Sequence, residues 1–555
     1  MNFSFSERHF AYLYIGIISV YIIGMFLPVM DLDSAQDATM AARMYTENDY
    51  WNIYRGHAPY LDKPHMHFWL SAFSYALFGI SEFAYRLPAV CLLMLGAYAV
   101  FRLGRMLYDN RTGHFSALIF LSAQSIILSA HDVRTDAVLT GATVFAIYQA
   151  VDFLKNRKLL SVLLAGFFAG IAFDTKGLIA LVVIGLCLVS YIAYERSWKK
   201  LLSYQFLLGL LALAMAISPV LYAYYQQYDL HPELVIKGQT NVSGVRFILF
   251  DQVFNRLNAT GFDETSPDYF FFFHTLLWVF LPFSLIGYAA IFNGFKRFFK
   301  IRFRKINGME FLTLGGTVAA FLLFSFSKFK LPHYLNILIP TLSILTAAYV
   351  TRLASENRQK TIRIWAIIQS AIAVLTVPLV VLLSFFAFDV PALWLSIIIA
   401  LSGICVLFFA FKASNTIYKI VAISVITSIW INVNLNSVFY PKLLEYQGGL
   451  QLAKIVQDEK IDTQNIFSLD GRYFWTFDFY TKQQTPHITS EKLANRQGET
   501  WLVIDSDDFE MLKKQFEFSE IREVKSFHVT RLSLKFLNKK TRENVLSRTY
   551  LVKIN

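Results

Sequence analysis

The sequence predicts a polytopic α-helical membrane protein that carries a small soluble α/β domain at its C-terminal end. Of the 555 residues, 55% are hydrophobic and only 16% are charged. Apolar runs near 20 residues long recur along most of the chain, and a soluble core has no need of so many segments of that length. After residue 436 the apolar runs shorten to strand length, so the fold class changes there.

About thirteen spans are predicted from the lengths of the apolar runs. The first run covers 11–27 and is interpreted as a retained anchor, because it lacks a small-residue cleavage site. A shorter piece at 68–80 is expected to lie at the membrane interface, before Arg86 opens the second span. The remaining runs lie near 114–130, 135–153, 160–174, 177–194, 203–225, 269–291, 309–326, 334–350, 364–388, 391–411 and 417–436.

The net charge of +12 indicates topology rather than a nucleic-acid partner. Lys and Arg cluster in alternate loops, most densely in the stretch FKRFFKIRFRK, and cytoplasmic loops carry such an excess. The N-terminus is then cytoplasmic in a bacterial inner membrane. Three larger outer pieces, 28–67, 226–268 and 437–555, are expected to meet over one site.

The piece 437–555 is predicted to be an extracytoplasmic α/β domain of about 115 residues. Strand-length apolar runs at 465–470, 500–505 and 533–537 alternate with helical patterns at 449–461 and 507–518. The domain has no glycine-rich phosphate loop. It is interpreted as a lid or scaffold over the membrane site rather than as an independent enzyme.

The outer loop 28–67 is the predicted catalytic segment, because so polar a stretch is too costly to place in hydrocarbon. Asp33 follows the first span, where a carboxylate is expensive unless it is paired or faces water. Desolvation there would raise its pKa and suit it to general-base work. Its neighbour Asp37 is interpreted instead as a solvated loop carboxylate or a helix cap.

Further charged groups are predicted on the same outer face. In the motif YLDKPH, Lys63 can hold a phosphate as a point charge, and Asp62 can bind a divalent ion or an acceptor hydroxyl. A local ion pair between these two side chains is the equally weighted alternative. In the motif HDVRTD, a simple pair between Arg134 and Asp136 is favoured over a functional role.

Several outer-face cations break the topological rule. Lys176 lies in the turn FDTKG, and Lys330 lies in the stretch KLPHY with His333 and Tyr334. Snorkelling to lipid headgroups explains any one lysine, but together they suit a phosphate-bearing ligand at the interface. Arg256 adds a guanidinium group that can grip phosphate bidentately.

The order of these motifs resembles the lipid-carrier-dependent glycosyltransferases with the GT-C fold. Within that group the sequence is most similar to the aminoarabinose transferase and protein mannosyltransferase superfamily. The resemblance covers nearly all of the membrane part and also the α/β tail. The matching pieces are Asp33, LDKP at 61–64, RLP at 86–88, TD at 135–136, TKG at 175–177 and KLPHY at 330–334.

This resemblance implies transfer of a sugar from a polyprenyl phosphate to a lipid, glycan or protein acceptor at the outer face of the membrane. Asp33 matches the catalytic acidic position, and Asp62 stands where relatives have a glutamate near a bound divalent metal. The carrier phosphate is assigned to Lys63, Arg256 and Lys330. Substrate binding is assigned to Tyr60, Tyr334, His333, Lys176 and Asp136.

The sequence also departs from the family pattern. Ser34 follows Asp33 where the family commonly has glutamate, and Gln36 and Asp37 stand where the aminoarabinose branch has Arg-Tyr. His65 replaces a second proline. Because these changes fall on the sugar and acceptor side, no particular sugar or acceptor is predicted.

Two other classes of membrane protein, a transporter and a scaffold, remain as alternatives to an enzyme. A transporter or flippase of a lipid-linked or anionic substrate needs polar residues near the membrane midplane or broken helices, whereas this chain places its charges at the ends of spans. A membrane scaffold would fit the tail but leaves Asp33 and Lys63 without purpose. A glycosyltransferase is therefore the favoured prediction.

Overall fold

The structure is a computed structural model that describes residues 7–132, 135–236, 238–258, 268–306, 308–388, 393–413, 416–496 and 498–554. Within this part, nine helices are long and apolar enough to cross a membrane, or ten if one bent pair is counted as a span. Arg8–Gly24 and Leu312–Phe326 are shorter apolar helices. The chain is a polytopic helical membrane protein, as predicted, but the count of about thirteen spans is not confirmed.

The part before residue 436 is almost entirely helical. Its α-helices are α1 (Glu7–Gly24), α2 (Asp33–Thr46), α3 (Met66–Phe78), α4 (Glu82–Leu107), α5 (Asn110–Ser122), α6 (Gln124–His131), α7 (Asp136–Asn156), α8 (Leu159–Lys176), α9 (Leu178–Glu195), α10 (Tyr204–Tyr224), α11 (Gly244–Arg246), α12 (Gln252–Asn258), α13 (Phe271–Val279), α14 (Ser284–Lys300), α15 (Leu312–Phe326), α16 (Ile339–Ser355), α17 (Gln359–Ala387), α18 (Leu393–Lys412) and α19 (Ile417–Asn434). Shorter 3₁₀ and π segments join or extend them at Trp198–Leu202, Tyr225–Asp229, Phe247–Asp251, Pro332–Leu338 and Leu435–Phe439.

Two runs that the sequence predicts as single spans, 114–130 and 269–291, are broken in the structure. Helices α5 and α6 meet at an angle of 53°, and α13 and α14 are separated by a turn that contains Pro282. The backbone N–H of Gln124 donates to the carbonyl oxygen of Leu281 at 3.0 Å. The two breaks therefore face each other and satisfy a backbone group that hydrocarbon would leave unpaired.

Close helix packing in the membrane part depends on glycine. Gly96 of α4 lies against Gly141 of α7, and a Cβ atom added to Gly141 would lie 2.1 Å from the carbonyl oxygen of Leu92. Small residues let helix backbones approach in this way and gain van der Waals contact. The pair fixes α7, whose first residue belongs to the candidate site described below.

The predicted catalytic segment is a folded unit. It contains α2, a short antiparallel hairpin formed by β1 (Tyr54–Arg55) and β2 (Ala58–Pro59), and the start of α3. The apolar piece predicted to lie at the interface forms α3, which at 13 residues is too short to span a membrane. Helix α2 packs against α3 and against a helix of the C-terminal domain.

The C-terminal domain is an α/β unit, as predicted. Its five strands are β3 (Ile466–Leu469), β4 (His487–Ile488), β5 (Thr500–Asp505), β6 (Phe518–Ser526) and β7 (Ser547–Ile554). They are ordered β4-β3-β5-β7-β6 in the sheet. Strand β3 pairs in parallel with β4 and β5, whereas β7 pairs antiparallel with both β5 and β6. The helices are α20 (Tyr440–Leu444), α21 (Gly448–Asp458), α22 (Trp475–Thr481), α23 (Ser490–Ala494), α24 (Ser506–Leu512) and α25 (Leu534–Leu537), with 3₁₀ turns at Thr463–Asn465 and Arg542–Val545.

The prediction of a strand at 533–537 is wrong, because this segment is the helical turn α25. The Ser533 side chain accepts a hydrogen bond from the Phe536 backbone N–H, which is an N-cap that starts a helix. Phe536 is fully buried and packs against Phe388 at the end of α17. The apolar run thus serves to anchor the domain on the membrane part rather than to extend its sheet.

Candidate active site

One cavity of about 470 Å³ brings together eight of the ten residues that the sequence analysis assigns to the site. They come from α2, the segment between β2 and α3, the start of α7, the end of α8 and the segment before α16. The eight residues are Asp33, Tyr60, Asp62, Lys63, Asp136, Lys176, His333 and Tyr334. Their common position is a geometric finding, while the role assigned to each remains a prediction.

Lys63, which lines this cavity, forms an ion pair with the buried Asp37 carboxylate. The Lys63 ammonium lies 3.0 and 2.8 Å from the two carboxylate oxygens of Asp37. Burial lowers the Lys63 pKa, but Asp37, Tyr60 and Asp33 together outweigh this effect and raise the pKa above its usual value. Lys63 is therefore held as a cation, in a pair with Asp37 rather than with its neighbour Asp62.

The interpretation of Asp37 as a solvated carboxylate or cap is wrong, because its side chain is fully buried in the second turn of α2. The sequence carries a signal for this position. Asp33 and Asp37 are four residues apart, so a helix that starts at Asp33 places both on one face. That face points toward Lys63.

Asp33 is the first residue of α2 and lines the cavity. Helix α1 ends at Gly24, nine residues before Asp33. Asp33 therefore does not lie directly at the end of a span. Its side chain is exposed, and the predicted burial is therefore wrong. Asp33 thus contributes a carboxylate to the cavity lining.

A second ion pair lies in the lining of the same cavity. The Lys176 ammonium at the end of α8 lies 2.6 Å from a carboxylate oxygen of Asp136 at the start of α7. His333 lies 3.8 Å from the other oxygen of Asp136, and the Lys176 ammonium lies 4.9 Å from the centre of the Tyr334 ring. The favoured pairing of Asp136 with Arg134 concerns a residue outside the described part of the chain.

Among the described residues that line the cavity, Lys330 does not occur. Lys330 is buried, and its ammonium lies 5.5 Å from the centre of the Tyr269 ring. Arg256 belongs to α12, but its side chain lies outside the described residues. Their assignment to the carrier phosphate stays a prediction.

Tyr60 and Asp62 complete the wall beside Lys63. Burial raises the pKa of the Tyr60 hydroxyl to about 12, against the opposing effect of Lys63, so Tyr60 stays a neutral hydrogen-bonding group. Among the residues that the structure describes, no group of three or more His, Cys, Asp or Glu side chains is arranged to hold a metal ion. The described residues thus do not supply a full set of metal donors around Asp62.

The segment before Asp33 is held by Arg86, whose motif the sequence analysis noted without a role. The guanidinium is fully buried in α4 and donates to the backbone carbonyls of Leu27, Pro28 at 3.0 Å and His131 at 2.8 Å. A planar guanidinium presents five donors in a fixed geometry, which suits it to several carbonyls at once. Arg86 therefore positions the chain that leads into α2.

The C-terminal domain holds the same segment from the other side. The Gln447 side chain accepts a hydrogen bond from the Asp31 backbone N–H at 2.6 Å and donates to the Val29 carbonyl oxygen at 3.0 Å. The Val29 backbone N–H donates to the Tyr480 hydroxyl at 2.9 Å. Burial raises the pKa of Asp31 to about 6. No local sequence signal identifies Gln447 or Tyr480, since both contacts bridge more than 400 residues of chain.

The second outer loop contacts the catalytic segment as well. The Gln252 side chain of α12 donates to the Asp62 carbonyl oxygen at 2.8 Å, and the Tyr224 hydroxyl donates to the Leu61 carbonyl oxygen at 3.1 Å. The turn that carries Lys63 is thus fixed by backbone contacts. All three outer pieces predicted from topology touch the catalytic segment or belong to it.

An apolar groove of about 250 Å³ continues from the cavity between α8, α9, α15 and α12. It shares Asp136, Lys176, Gln252, His333 and Tyr334 with the cavity. The rest of its lining is almost entirely apolar, with Leu178, Ile179, Val182, Leu323, Phe324 and Ile337 among its residues. A ligand with a charged head and a hydrocarbon tail fits across this junction.

Known proteins resemble this chain in sequence and in fold. The family model of dolichyl-phosphate-mannose-protein mannosyltransferases matches residues 62–222. ArnT from Cupriavidus metallidurans, solved with bound undecaprenyl phosphate, aligns with a TM-score of 0.73 at 17% identity and covers 98% of this chain and 97% of its own. This chain has the ArnT fold. The apo form of that ArnT gives a TM-score of 0.70 over the same shares of both chains.

Sequence relatives agree with the ArnT fold. The undecaprenyl phosphate-alpha-4-amino-4-deoxy-L-arabinose arabinosyl transferase of Edwardsiella ictaluri is 29% identical over 306 residues, which is 54% of this chain and 51% of that protein. A transferase of the same description from Proteus mirabilis is 25% identical over 318 residues, 55% of this chain and 52% of that protein. The matched region spans about half the length of these curated relatives. The predicted resemblance to lipid-carrier-dependent glycosyltransferases of the GT-C fold is confirmed.

Proposed function

We propose that this chain transfers a sugar from a polyprenyl-phosphate carrier to a lipid, glycan or protein acceptor. The observation that carries the proposal is the single cavity that holds an exposed Asp33 carboxylate, a Lys63 cation and the mouth of an apolar groove. A carboxylate can accept the proton of an attacking hydroxyl group. A fixed cation stabilises a phosphate leaving group, and the groove suits a hydrocarbon tail.

In the proposed reaction the acceptor hydroxyl oxygen attacks the anomeric carbon of the sugar. The new carbon–oxygen bond forms while the bond between that carbon and the phosphate oxygen breaks, and the electron pair of that bond leaves with polyprenyl phosphate. The acceptor proton passes to Asp33. Negative charge develops on the leaving phosphate, where the Lys63 and Lys176 ammonium groups stabilise it electrostatically.

The two ion pairs prepare these cations before substrate arrives. Asp37 and Asp136 hold the ammonium groups of Lys63 and Lys176 in place at 2.8 and 2.6 Å. Donors that are already oriented need not reorganise as the charge develops. The Lys63 ammonium group carries three N–H donors, and its pair with Asp37 engages two carboxylate oxygens.

We propose that the carrier enters from the lipid side along the apolar groove. Its phosphate would stop beside Lys176 and His333, which line both the cavity and the groove. The first isoprene units would then contact Leu178 and Phe324. By the positive-inside rule the cavity faces the outside of a bacterial inner membrane, with the N-terminus in the cytoplasm.

The decisive experiment compares envelope fractions of cells that carry the wild-type chain, no chain, or Asp33→Asn. Mass spectrometry of lipids, surface glycans and envelope proteins should show one sugar-sized mass increment that is lost both in the deletion and in Asp33→Asn. Glu47→Gln is the matched control, because Glu47 is an exposed carboxylate at the other end of α2 and pairs with Arg43.

Asp33→Asn should be present in the membrane at the wild-type level, and purified Asp33→Asn should still bind polyprenyl phosphate. Near-normal transfer by Asp33→Asn would refute the proposed base. If no fraction changes in the deletion strain, the transferase proposal itself is refuted.

A further inference from the structure

A second polar cavity, also of about 470 Å³, lies in the C-terminal domain and takes no part in the proposed reaction. We call it the switch-point pocket. It is bordered by the residues that follow the carboxyl ends of β3 and β4 and by α24, the helix after β5. Its polar lining consists of Asp470, Arg472, Thr489, Ser490 and Asp508, and its apolar lining includes Ile488 and Met511.

The strand order explains why a cavity forms at this edge. Strand β3 lies between β4 and β5, and all three run parallel. The chain leaves β3 toward β4 on one side and then crosses to β5 on the other side. In open parallel sheets, loops that leave adjacent strands in opposite directions enclose a crevice outside the carboxyl ends, and ligands bind there. Gly471 turns at φ +77° directly after β3 and leaves the crevice open.

The charges of the pocket disfavour an anionic ligand. The Arg472 guanidinium donates to both carboxylate oxygens of Asp508, at 2.9 and 3.1 Å, and lies 3.6 Å from Asp505. Its positive charge is therefore already balanced. Asp470 adds a carboxylate that is 72% exposed, and its neighbour His487 has a pKa lowered by partial burial. The pocket as a whole is neutral to negative, so it would repel a phosphate.

The lining suits a sugar ring instead. Sugar hydroxyls both donate and accept hydrogen bonds, and the pocket offers carboxylate acceptors, a guanidinium donor and the hydroxyls of Thr489 and Ser490. The C–H face of a ring can pack on Ile488 and Met511, as specific pockets combine apolar walls with a few polar groups. An amino substituent on the ring would add an attraction to Asp470.

The pocket adjoins the catalytic segment. Tyr473 follows Arg472 directly, and its ring lies 4.9 Å from that of His487. The His487 ring lies 5.3 Å from the ring of His57 in the β1–β2 hairpin, and the Arg55 guanidinium lies 5.7 Å from the Tyr473 ring centre. That hairpin leads directly into the residues that line the catalytic cavity. Residues next to the switch-point pocket therefore contact the hairpin that leads into the catalytic cavity.

We propose that the switch-point pocket binds a neutral or amine-bearing sugar ring of the acceptor and so holds the acceptor while its hydroxyl group reaches Asp33. This inference rests on the proposed function, because the bound sugar ring is assigned to the acceptor of that reaction. The recognition of a sugar ring in the C-terminal domain stands on the pocket alone.

The test uses two tryptophan variants of the full-length protein purified in detergent. Ser490→Trp fills the pocket, because Ser490 is exposed in its wall. Ser519→Trp is the matched control, because Ser519 is equally an exposed serine of the same domain but lies on the far edge strand β6. Asp470→Asn is a second pocket variant that keeps the shape of the side chain.

Binding is measured on an array of immobilised neutral, amino-sugar and phosphorylated glycans, and transfer kinetics are measured separately with the acceptor identified by mass spectrometry. Wild type and Ser519→Trp should bind neutral or amino-sugar glycans. Ser490→Trp should bind them about tenfold or more weakly and raise the acceptor KM by a similar factor, with the donor KM unchanged. Asp470→Asn should weaken the binding of amino-sugar glycans more than the binding of neutral glycans.

Equal binding and equal acceptor KM for Ser490→Trp and Ser519→Trp would overturn the inference, and so would a preference of the wild type for phosphorylated glycans. Loss of transfer in both the wild type and all variants, with glycan binding still lost only in the pocket variants, would refute the proposed function and leave the sugar pocket standing.

Discussion

The Lys63–Asp37 pair allows the structural and chemical roles of Lys63 to be separated. Replacing Lys63 with methionine leaves the fully buried Asp37 carboxylate without its ammonium partner. Breaking a buried ion pair in this way costs about 3–5 kcal/mol. Because the Lys63 side chain is 21% exposed, water offsets part of this, and we expect about 3 kcal/mol, the lower end of the range.

The double variant Lys63→Met, Asp37→Leu removes both charges at once. Replacing a buried pair by apolar side chains of similar volume is often close to neutral for stability. The double variant should therefore unfold near the wild-type temperature, whereas Lys63→Met and Asp37→Leu alone should each unfold several degrees earlier. Transfer should fall strongly in all three, because none of them keeps a Lys63 ammonium group held by Asp37 beside the carrier phosphate, and Lys176 alone remains.

Thermal unfolding in detergent, followed by tryptophan fluorescence, and transfer assays on the same preparations test this reasoning. If Lys63→Met unfolds at the wild-type temperature, the pair does not carry the energy assigned to it. If the double variant regains transfer, Lys63 does not act on the phosphate.

Three further outcomes are expected. Arg86→Lys should lower both the unfolding temperature and the transfer rate, because one ammonium group cannot serve the carbonyls of separate segments; equal unfolding temperatures for Arg86→Lys and wild type would contradict this. Burial raises the pKa of Asp478 to about 7, so the folded state favours the neutral carboxyl group. This contribution to the free energy of unfolding, roughly 4 kcal/mol, is complete below about pH 4 and is lost as the pH rises through 7. Asp478→Asn should flatten that part of the stability profile measured by unfolding between pH 4 and 8, and an unchanged profile would refute the assignment. Because Lys63 supplies the charge opposite the phosphate, EDTA should change the transfer rate by less than about twofold. A loss of transfer that Mn²⁺ restores in the wild type but not in Asp62→Asn would contradict this and support a divalent metal ion at Asp62.

The positions of most site residues follow from sequence because each lies in a short local motif at the end of an apolar run. Asp33 comes after the first run, and Lys176 lies in the turn between two later ones. Helices that cross the same layer must bring their ends to one of two faces, so the alternation of basic loops is enough to collect such residues on one side. Eight of the assigned residues line one cavity, while their placement on the outer face stays a prediction.

Pairing within that group does not follow from sequence. Lys63 has Asp62 as its nearest carboxylate along the chain, yet its ion pair is with Asp37, 26 residues earlier. The pairing is decided by how α2 packs on α3, which no local pattern specifies. The broken spans have the same origin, since the backbone N–H of Gln124 finds its acceptor in Leu281, far along the chain.

The contacts of the C-terminal domain favour a scaffold over a mobile lid. A lid that opens must release its contacts cheaply, yet Gln447 and Tyr480 bind the backbone of residues 29–31, and the Thr39 hydroxyl donates to the Trp475 carbonyl oxygen at 3.1 Å. The same short segment is fixed from the membrane side by Arg86. Asp33 therefore starts a helix whose position is set from two directions. A side chain proposed to act on a substrate needs such support, because its position must be set by the elements that carry it.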